Sequence, residues 1–538
     1  MSASMDWTPS SVIRWLFDSR SGPTDRFLAR WIFLRALGLI YFSAFFPLAF
    51  QIRGLIGPQG ILPAGEYLQS VAQQVGNARY WYAPTVLWFS SGSHMLMALC
   101  CVGMIASLLL VLNLWPRAML AICFVCFLSF VSAAGEFSGY QSDGMLLEVG
   151  FLSLFIAPGG FRPGLALTRP PVRAALYLIL WEWFRIYFES GVAKIMGGDP
   201  QWRNFTAIDE YYQNGPLPTW IGWYAQHLPH WFHAATAGLT LALELILIWA
   251  AILPRPFRIA LFFLVTPWQI GIILTANYTF LNYLVLILAF LLLDDQFLAR
   301  FLPAKWTPEL AAPAVGRKPE KEPPHDLREK LQRVFAPIGV SLTAVLLVWI
   351  AYATAAQMVW MIAPAPLPTS PVALLEPFRI ANRYGLFAVM TRGRYEIEFQ
   401  GSNDGQTWIP YLFRHKPQEL DKPPRIYAPY QPRLDWNLWF ASLGEWRENP
   451  MVLRTERRLL SNDSDVLALF AANPFPQGPP RQVRAVLWQY WFSSLAEKRQ
   501  HGLWWHRESR GLYAPAIEVE PDGRIGVTQW PAQMPPRE

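Results

Sequence analysis

AALYLILWEWFRIYFESGVAKIMGGDP, residues 174–200, is apolar for most of its length, yet it carries Glu182, Arg185 and Glu189 inside that run. It ends on Lys194, two glycines and an Asp-Pro pair. About twenty apolar residues in a helix cross the ~30 Å of a bilayer's hydrocarbon. Helical geometry gathers the three charged residues, spaced i, i+3 and i+7, into one narrow stripe. A charge at the centre of a lone membrane helix costs at least ~2.5 kcal/mol, so such groups persist where they pair or line a wet cavity. The stretch therefore reads as a spanning helix with its charged stripe turned into a bundle. Arg35, Glu148 and Glu244, each in another apolar run, are the candidate partners in an intramembrane charge network. Structural ion pairing and a functional site both remain open on these residues.

The end of the helix has its own logic. Gly197 and Gly198 allow tight or left-handed backbone, and Pro200 forces Asp199 out of helical geometry, so the helix stops sharply. Trp202 and Arg203 suit an interfacial anchor. Gly191, Lys194, Gly197, Gly198, Asp199, Pro200, Trp202 and Arg203 thus form a motif loop, read as a helix cap and anchor. The chemical alternative is a buried lysine acting as a base, with Glu189 and Asp199 beside it.

The same pattern repeats along the chain. Hydrophobic residues make up 53% of the 538 and charged residues 15%, with a mean hydropathy of +0.21. That leaves too little polar surface for a soluble protein of this size. Hydropathy predicts about nine spans, near residues 31–50, 94–114, 119–134, 145–157, 174–196, 232–253, 257–278, 280–293 and 338–362. The fourth and eighth are short enough to be tilted or half-membrane elements. With nine, Arg14, Arg20, Arg26 and Arg30, the 162–173 arginines, Arg255, Arg258 and a basic linker over 294–337 share one side, while Glu136 and Asp143 fall on the other. The positive-inside rule then puts residues 1–30 in the cytosol, and the 197–231 loop and residues 363–538 on the exoplasmic face.

After residue 363 the composition shifts to Pro, Trp, Arg and Asn, as in a separate soluble domain. RYEIEFQGSNDGQTWIPYLF alternates Tyr395, Ile397 and Phe399 with Glu396, Glu398 and Gln400, then turns at Asn403, Asp404 and Gly405, predicting a half-buried hairpin. VLALFAANPF and QVRAVLWQYWFSSLAEKRQ have helical spacing, and GLWWHRESRGLYAP is extended in style. The fold class expected is a mainly α polytopic membrane protein with a C-terminal β-rich domain and appended helices.

Other chemistry is sparse. Cys123 and Cys126 form a C-x-x-C inside an apolar run, whereas a redox pair needs an exposed thiolate at a helix N-terminus. His227, His230 and His233 make no defensible ligand set, and no nucleotide, hydrolase or zinc-protease motif occurs. A transporter reading of the charge ladder lacks the inverted repeat such folds carry. No cofactor, metal or nucleic-acid partner is expected; membrane lipids are.

The stretch GVAKIMGGDPQWRNFTAIDEYYQNGPLPTWIGWYAQHLP resembles the central signature of the lipase maturation factor family. NRYGLFAVMTRGRYEIEFQGSNDGQTW, APYQPRLDWNLWFASLG and GLWWHRESRGLYAP extend the likeness through the C-terminal half, while the YYQNGPLP loop departs from the better-known members. The resemblance implies a chaperone-like, non-enzymatic factor that helps secreted homodimeric lipases, such as lipoprotein lipase, to fold and assemble. It also implies an endoplasmic reticulum membrane in a eukaryote, or the inner membrane in a bacterium. The family is in turn distantly similar to the vitamin K-dependent carboxylase, whose G-x-x-K lysine is a catalytic base. Lys194 stands at the corresponding place, which keeps open an enzyme acting on a lipid, quinone or protein side chain. The sequence holds 26 Trp, and rigid aromatics suit client contact; Trp436, Trp439, Phe440, Trp504 and Trp505 are the client-binding candidates, with a core-filling role as the alternative.

Overall fold

In the computed structural model the described residues are 8–302 and 327–532, the side chains of 327–336 excepted. Most of the basic linker, and the extreme termini, lie outside them. Every apolar run read as a span is helical: α1 (Phe27–Ile56), α2 (Ser93–Val111), α3 (Pro116–Val131), α4 (Gln141–Ser153), α5 (Arg173–Met196), α6 (His230–Leu245), α7 (Arg255–Thr275), α8 (Leu281–Ala289) and α9 (Leu327–Ile362). Short 3-10 turns, Leu247–Ile252 and Phe290–Leu292, extend α6 and α8.

Five of these helices are long and apolar enough to cross a membrane: Phe27–Ile56, Ser93–Val111, His230–Ile252, Arg255–Thr275 and Pro337–Ile362. The chain is an integral membrane protein, but the expected count of nine is not confirmed. α3, α4 and α8 have 16, 13 and 9 residues, about 24, 20 and 14 Å at ~1.5 Å per residue. α5 has the length, at 24 residues, and loses apolar character to its charged stripe. Asp295 closes the bundle: its carboxylate accepts the Phe27 and Leu28 N–H groups at 2.8 Å each, satisfying orphan donors at the start of α1.

The C-terminal region carries an antiparallel sheet of β1 (Arg394–Ser402), β2 (Ile409–Pro410), β3 (Gln482–Phe492), β4 (Trp505–Leu512), β5 (Ala516–Val519) and β6 (Ile525–Gln529). The order is β2-β1-β3-β5-β6, with β4 also on β3. Helices α10 (Arg433–Leu443) and α11 (Pro450–Leu460) pack on it.

Three expectations change here. The half-buried hairpin gives way to a strand buried at all nine positions. Its long partner is β3, in register from Arg394↔Tyr490 to Ser402↔Gln482, while β2 contributes two residues. The alternating carboxylates are covered because they are paired: Glu396 with Lys416 at 2.8 Å and with Arg394, Glu398 with Arg507 at 3.2 Å. Residues 482–492, read as helical, are β3; Val483, Ala485 and Leu487 also obey a period of two, and pairing with β1 decides between the periods. Finally, the C-terminal region is no separate body. One contiguous apolar core includes Phe33 and Tyr41 of α1, Trp183 of α5, Ile397 and Phe399 of β1, and Val483 of β3.

Candidate functional site

The charged stripe of α5 is fully buried: Glu182, Arg185 and Glu189 each have 0% exposure. Arg185 pairs with Glu148 of α4 and lies 3.9 Å from Glu189. What completes the cluster is not another helix but an irregular segment beyond α9, residues 382–390. Arg185 Nη1 donates to the Asn382 carbonyl at 2.6 Å, and the Asn382 N–H donates to Glu148 Oε2 at 2.8 Å. The Tyr384 N–H donates to Glu189 Oε2 at 2.7 Å, and its hydroxyl lies 3.0 Å from both Glu148 Oε2 and Glu182 Oε1. Burial, then the two carboxylates, hold that hydroxyl well above the usual tyrosine range, so it remains a donor.

The same pattern continues towards the helix end. The Leu386 N–H donates to Ser190 Oγ at 3.2 Å, and Lys194 Nζ donates to the Leu386 carbonyl at 3.0 Å. The Trp202 indole N–H reaches the Phe387 carbonyl at 2.9 Å, and the Met390 N–H donates to Asp199 Oδ2 at 2.7 Å. Backbone groups of an irregular segment must find partners when buried. Here α5 and the motif loop supply them one after another, so the charged stripe is a rail on which residues 382–390 are docked.

Lys194 is 2% exposed, forms a 2.9 Å ion pair with Glu244 of α6, and lies 5.1 Å from the Trp202 ring. Asp199 also caps the turn after it, accepting the Gln201 N–H at 2.9 Å. Arg203 ties back to the Ile195 carbonyl at 2.9 Å. Gly191 lets α5 and α6 touch: a Cβ there would sit 2.8 Å from Leu245 Cδ2. Gly197 lies against Ala388, and Gly198 adopts a φ of +81°. All three catalytic candidates, Glu189, Lys194 and Asp199, are thus engaged inside the chain. Lys194 also lines a cavity of about 300 Å³ between α5, α6 and α7.

The proposed network needs two corrections. Arg35 makes no ion pair with the carboxylates among the described residues: its guanidinium lies over the Trp31 ring at 4.9 Å and donates to the Trp31 carbonyl at 3.1 Å. Glu244 belongs with Lys194 rather than with the ladder. The client-binding candidates fare differently from one another. Trp436, Trp439 and Trp505 are buried, so they fill the core and offer no surface; Phe440 is exposed, and Trp504 is half-buried against Trp223 and Lys498. Cys123 and Cys126 are buried free thiols. The histidines have protein partners: His227 the Trp223 and Ser493 carbonyls, His230 and His233 the Asp209 carboxylate.

Several docking residues escaped the sequence reading. Arg433 of α10 makes a buried pair with Asp143 of α4 at 2.8 and 3.0 Å and lies over the Phe130 ring. Gln51 of α1 accepts the Arg433 N–H at 2.8 Å and donates to the Gln431 carbonyl at 3.0 Å. Asn277 binds the backbone at Arg425, Tyr427 and Ala428. Arg394 of β1 holds the divergent loop through the Gln213 and Pro216 carbonyls at 3.0 and 3.1 Å. Asp143 and Arg394 stood in the sequence as charges beside apolar runs; nothing in the pattern paired them.

Fold and site together define a class: a helical integral membrane protein whose strand-bearing C-terminal region is clamped to its bundle through buried charges. The lipase maturation factor transmembrane domain matches residues 28–300, and the lipase maturation factor C-terminal domain residues 380–515. Lipase maturation factor 1 of Bos taurus is 31% identical over 94% of this chain and 92% of its own length. Lipase maturation factor 2 of Gallus gallus is 30% identical over 91% and 81%, and human lipase maturation factor 1 is 29% identical over 92% and 88%. No solved structure matches. The chain belongs to the lipase maturation factor family. The second matched region begins at 380, two residues before the docked segment.

Proposed function

We propose that this protein is a membrane-bound maturation factor that assists secreted client proteins, homodimeric lipases foremost, to fold and assemble into active form. The observation that carries the reading is the match of relatives named lipase maturation factor along more than nine-tenths of the chain, through both the helical bundle and the C-terminal region. The buried clamp supports it: a client engaging the C-terminal region meets a surface held rigidly against the membrane domain. The C-terminal region lies on the lumenal face of the endoplasmic reticulum, or the periplasmic face of a bacterial inner membrane, as the distribution of arginines favours. Phe440 and Trp504 are the client-contact residues among the original candidates, because they keep exposed surface. An enzyme using Lys194 as a base is the weaker reading, since an ammonium paired with Glu244 is held as a donor. The test is the specific activity of a secreted, assembly-dependent lipase, per mole of lipase, in a host lacking its own factor. A rise with the wild type, retained in Lys194→Gln, supports the proposal; no rise with any homodimeric lipase overturns it.

A further inference from the structure

The connection between α1 and α2 carries an aromatic surface that the docking rail does not use. Tyr80, Trp81 and Tyr82 are exposed, and Phe89 is 88% exposed. Between Glu66 and His94 the sequence holds one charged residue, Arg79. A run of exposed rings with so little charge marks an interaction surface.

Its place in the fold selects the partner. α1, which ends at Ile56, precedes the connection, and α2, which begins at Ser93, follows it; both are long and apolar enough to cross a membrane. Thr85 Oγ1 donates to the Ser129 carbonyl at 2.9 Å, and Ser129 Oγ accepts the Val86 N–H at 3.1 Å. Ser129 belongs to the last turn of α3, so the aromatic stretch is pinned at the end of the bundle where α1 and α3 finish. Leu87 joins the apolar core, whereas Phe89, two residues on, stands clear of it. The outer side of α1 stays apolar almost to the same end: Phe46 and Phe50 are exposed, their ring centroids 5.2 Å apart, and Phe50 lies about 9 Å short of the end of α1 at ~1.5 Å per residue. The edge of the hydrocarbon therefore falls close to the level of the exposed rings. Tyr and Trp, with an apolar body and a polar tip, favour that boundary.

Arg79 suits the same level. Its guanidinium lies over the Tyr80 ring at 4.8 Å and the Trp88 ring at 5.1 Å, Nη2 donates to the Tyr80 hydroxyl at 2.7 Å, and no carboxylate pairs with it among the described residues. The helix Ala64–Val75 and the turn before it join this surface to the C-terminal region. Glu66 pairs with Arg454 of α11 at 3.0 Å, and Arg458 of α11 donates to the Gly60 carbonyl at 3.0 Å and to Gln59 Oε1 at 2.8 Å. Trp81 meets the Phe378 ring edge-on at 4.9 Å. We propose that residues 79–89 lie in the headgroup layer of the bilayer, with Tyr80, Trp81, Tyr82 and Phe89 as a foot resting among the phospholipids. The partner of this surface is the lipid interface, not a client protein.

The test uses the full-length protein in phospholipid nanodiscs. Photoreactive benzoylphenylalanine replaces, in separate samples, Phe89, Phe50 on the outer side of α1, and Arg524, an exposed charged residue beside β6 that serves as the water-facing reference. All three side chains are exposed, so the replacements keep the fold. After irradiation, adducts are identified by peptide mass. Phospholipid adducts at 89 are expected in a yield comparable with that at 50 and about tenfold above that at 524. A fluorescent coumarin side chain at 89 should be quenched more by phospholipid spin-labelled near its headgroup than by phospholipid spin-labelled at the end of its chain. A yield at 89 no higher than at 524, the reverse order of quenching, or adducts at 89 with a second polypeptide instead of lipid would each overturn the proposal; the last result makes the surface a protein-docking face.

Discussion

Tyr384 shows how tightly the rail is drawn. Its single hydroxyl proton serves two carboxylate oxygens, at 3.0 Å each, so a carboxamide at 182 can supply the second donor without changing shape. Glu182→Gln is therefore expected to leave thermal stability within about 1 kcal/mol of wild type. Arg185→Met strands Glu148 without its cation and is expected to cost about 3–5 kcal/mol. Thermal unfolding of the two variants in detergent checks the contrast. The charges of α5 were legible in the sequence because a charge in an apolar run is conspicuous. Of their partners, Glu148 was legible for the same reason and pairs with Arg185, but Asn382 and Tyr384 were not: they look like ordinary loop residues, and the backbone N–H groups they carry leave no mark in a sequence. Arg35 was misassigned because its contacts are local, with the Trp31 ring and carbonyl, and leave Nε and Nη2 without a hydrogen bond.

Among the elements, the contact of α5 with α6 depends on Gly191, where any side chain meets Leu245 and Glu244. Gly191→Val is expected to destabilise by about 1–3 kcal/mol through overpacking and to weaken the adjoining Lys194–Glu244 pair, measured as a lower unfolding temperature. On α11, Glu456 is buried against the sheet, and neither carboxylate oxygen has a hydrogen bond. Burial raises it well above the usual carboxylate range, opposed in part by the charge of Arg457. Unfolded, it titrates near ~4.3. Its contribution to stability is thus full below that pH and is lost as pH rises towards the folded value. Glu456→Gln should flatten this dependence and be the more stable protein at pH 7, read from melting curves between pH 4 and 8; a less stable variant at pH 7 contradicts the assignment. Helix positions were legible from hydropathy. The number of crossings was not, because α4 and α8 are short and α5 trades apolar surface for the rail. Strand β3 was misread because its apolar residues satisfy both periods, and only β1, some ninety residues earlier, selects one.

For the whole molecule, one core and several buried latches hold the C-terminal region against the membrane domain. Arg433–Asp143 is a charged latch outside the rail, and Arg433→Met is expected to cost about 3–5 kcal/mol by leaving Asp143 buried and unpaired. If client maturation needs the docked arrangement, Arg185→Met and Arg433→Met should both lower lipase specific activity while the factor is still present in the membrane. The family and the membrane character were legible in motifs and composition. The expectation of a separate soluble domain followed correctly from the change in composition at 363, but composition reports a surface and not what it packs against. The clamp is tested most directly by hydrogen exchange across residues 380–392 of the intact protein in nanodiscs, comparing wild type with Glu189→Leu and Asp199→Ala. Slow exchange at Tyr384 and Met390 in wild type, released at Tyr384 by the first substitution and at Met390 by the second, is the expected result. Fast exchange of both amides in wild type, or no change in either variant, would contradict the docking of this segment on α5.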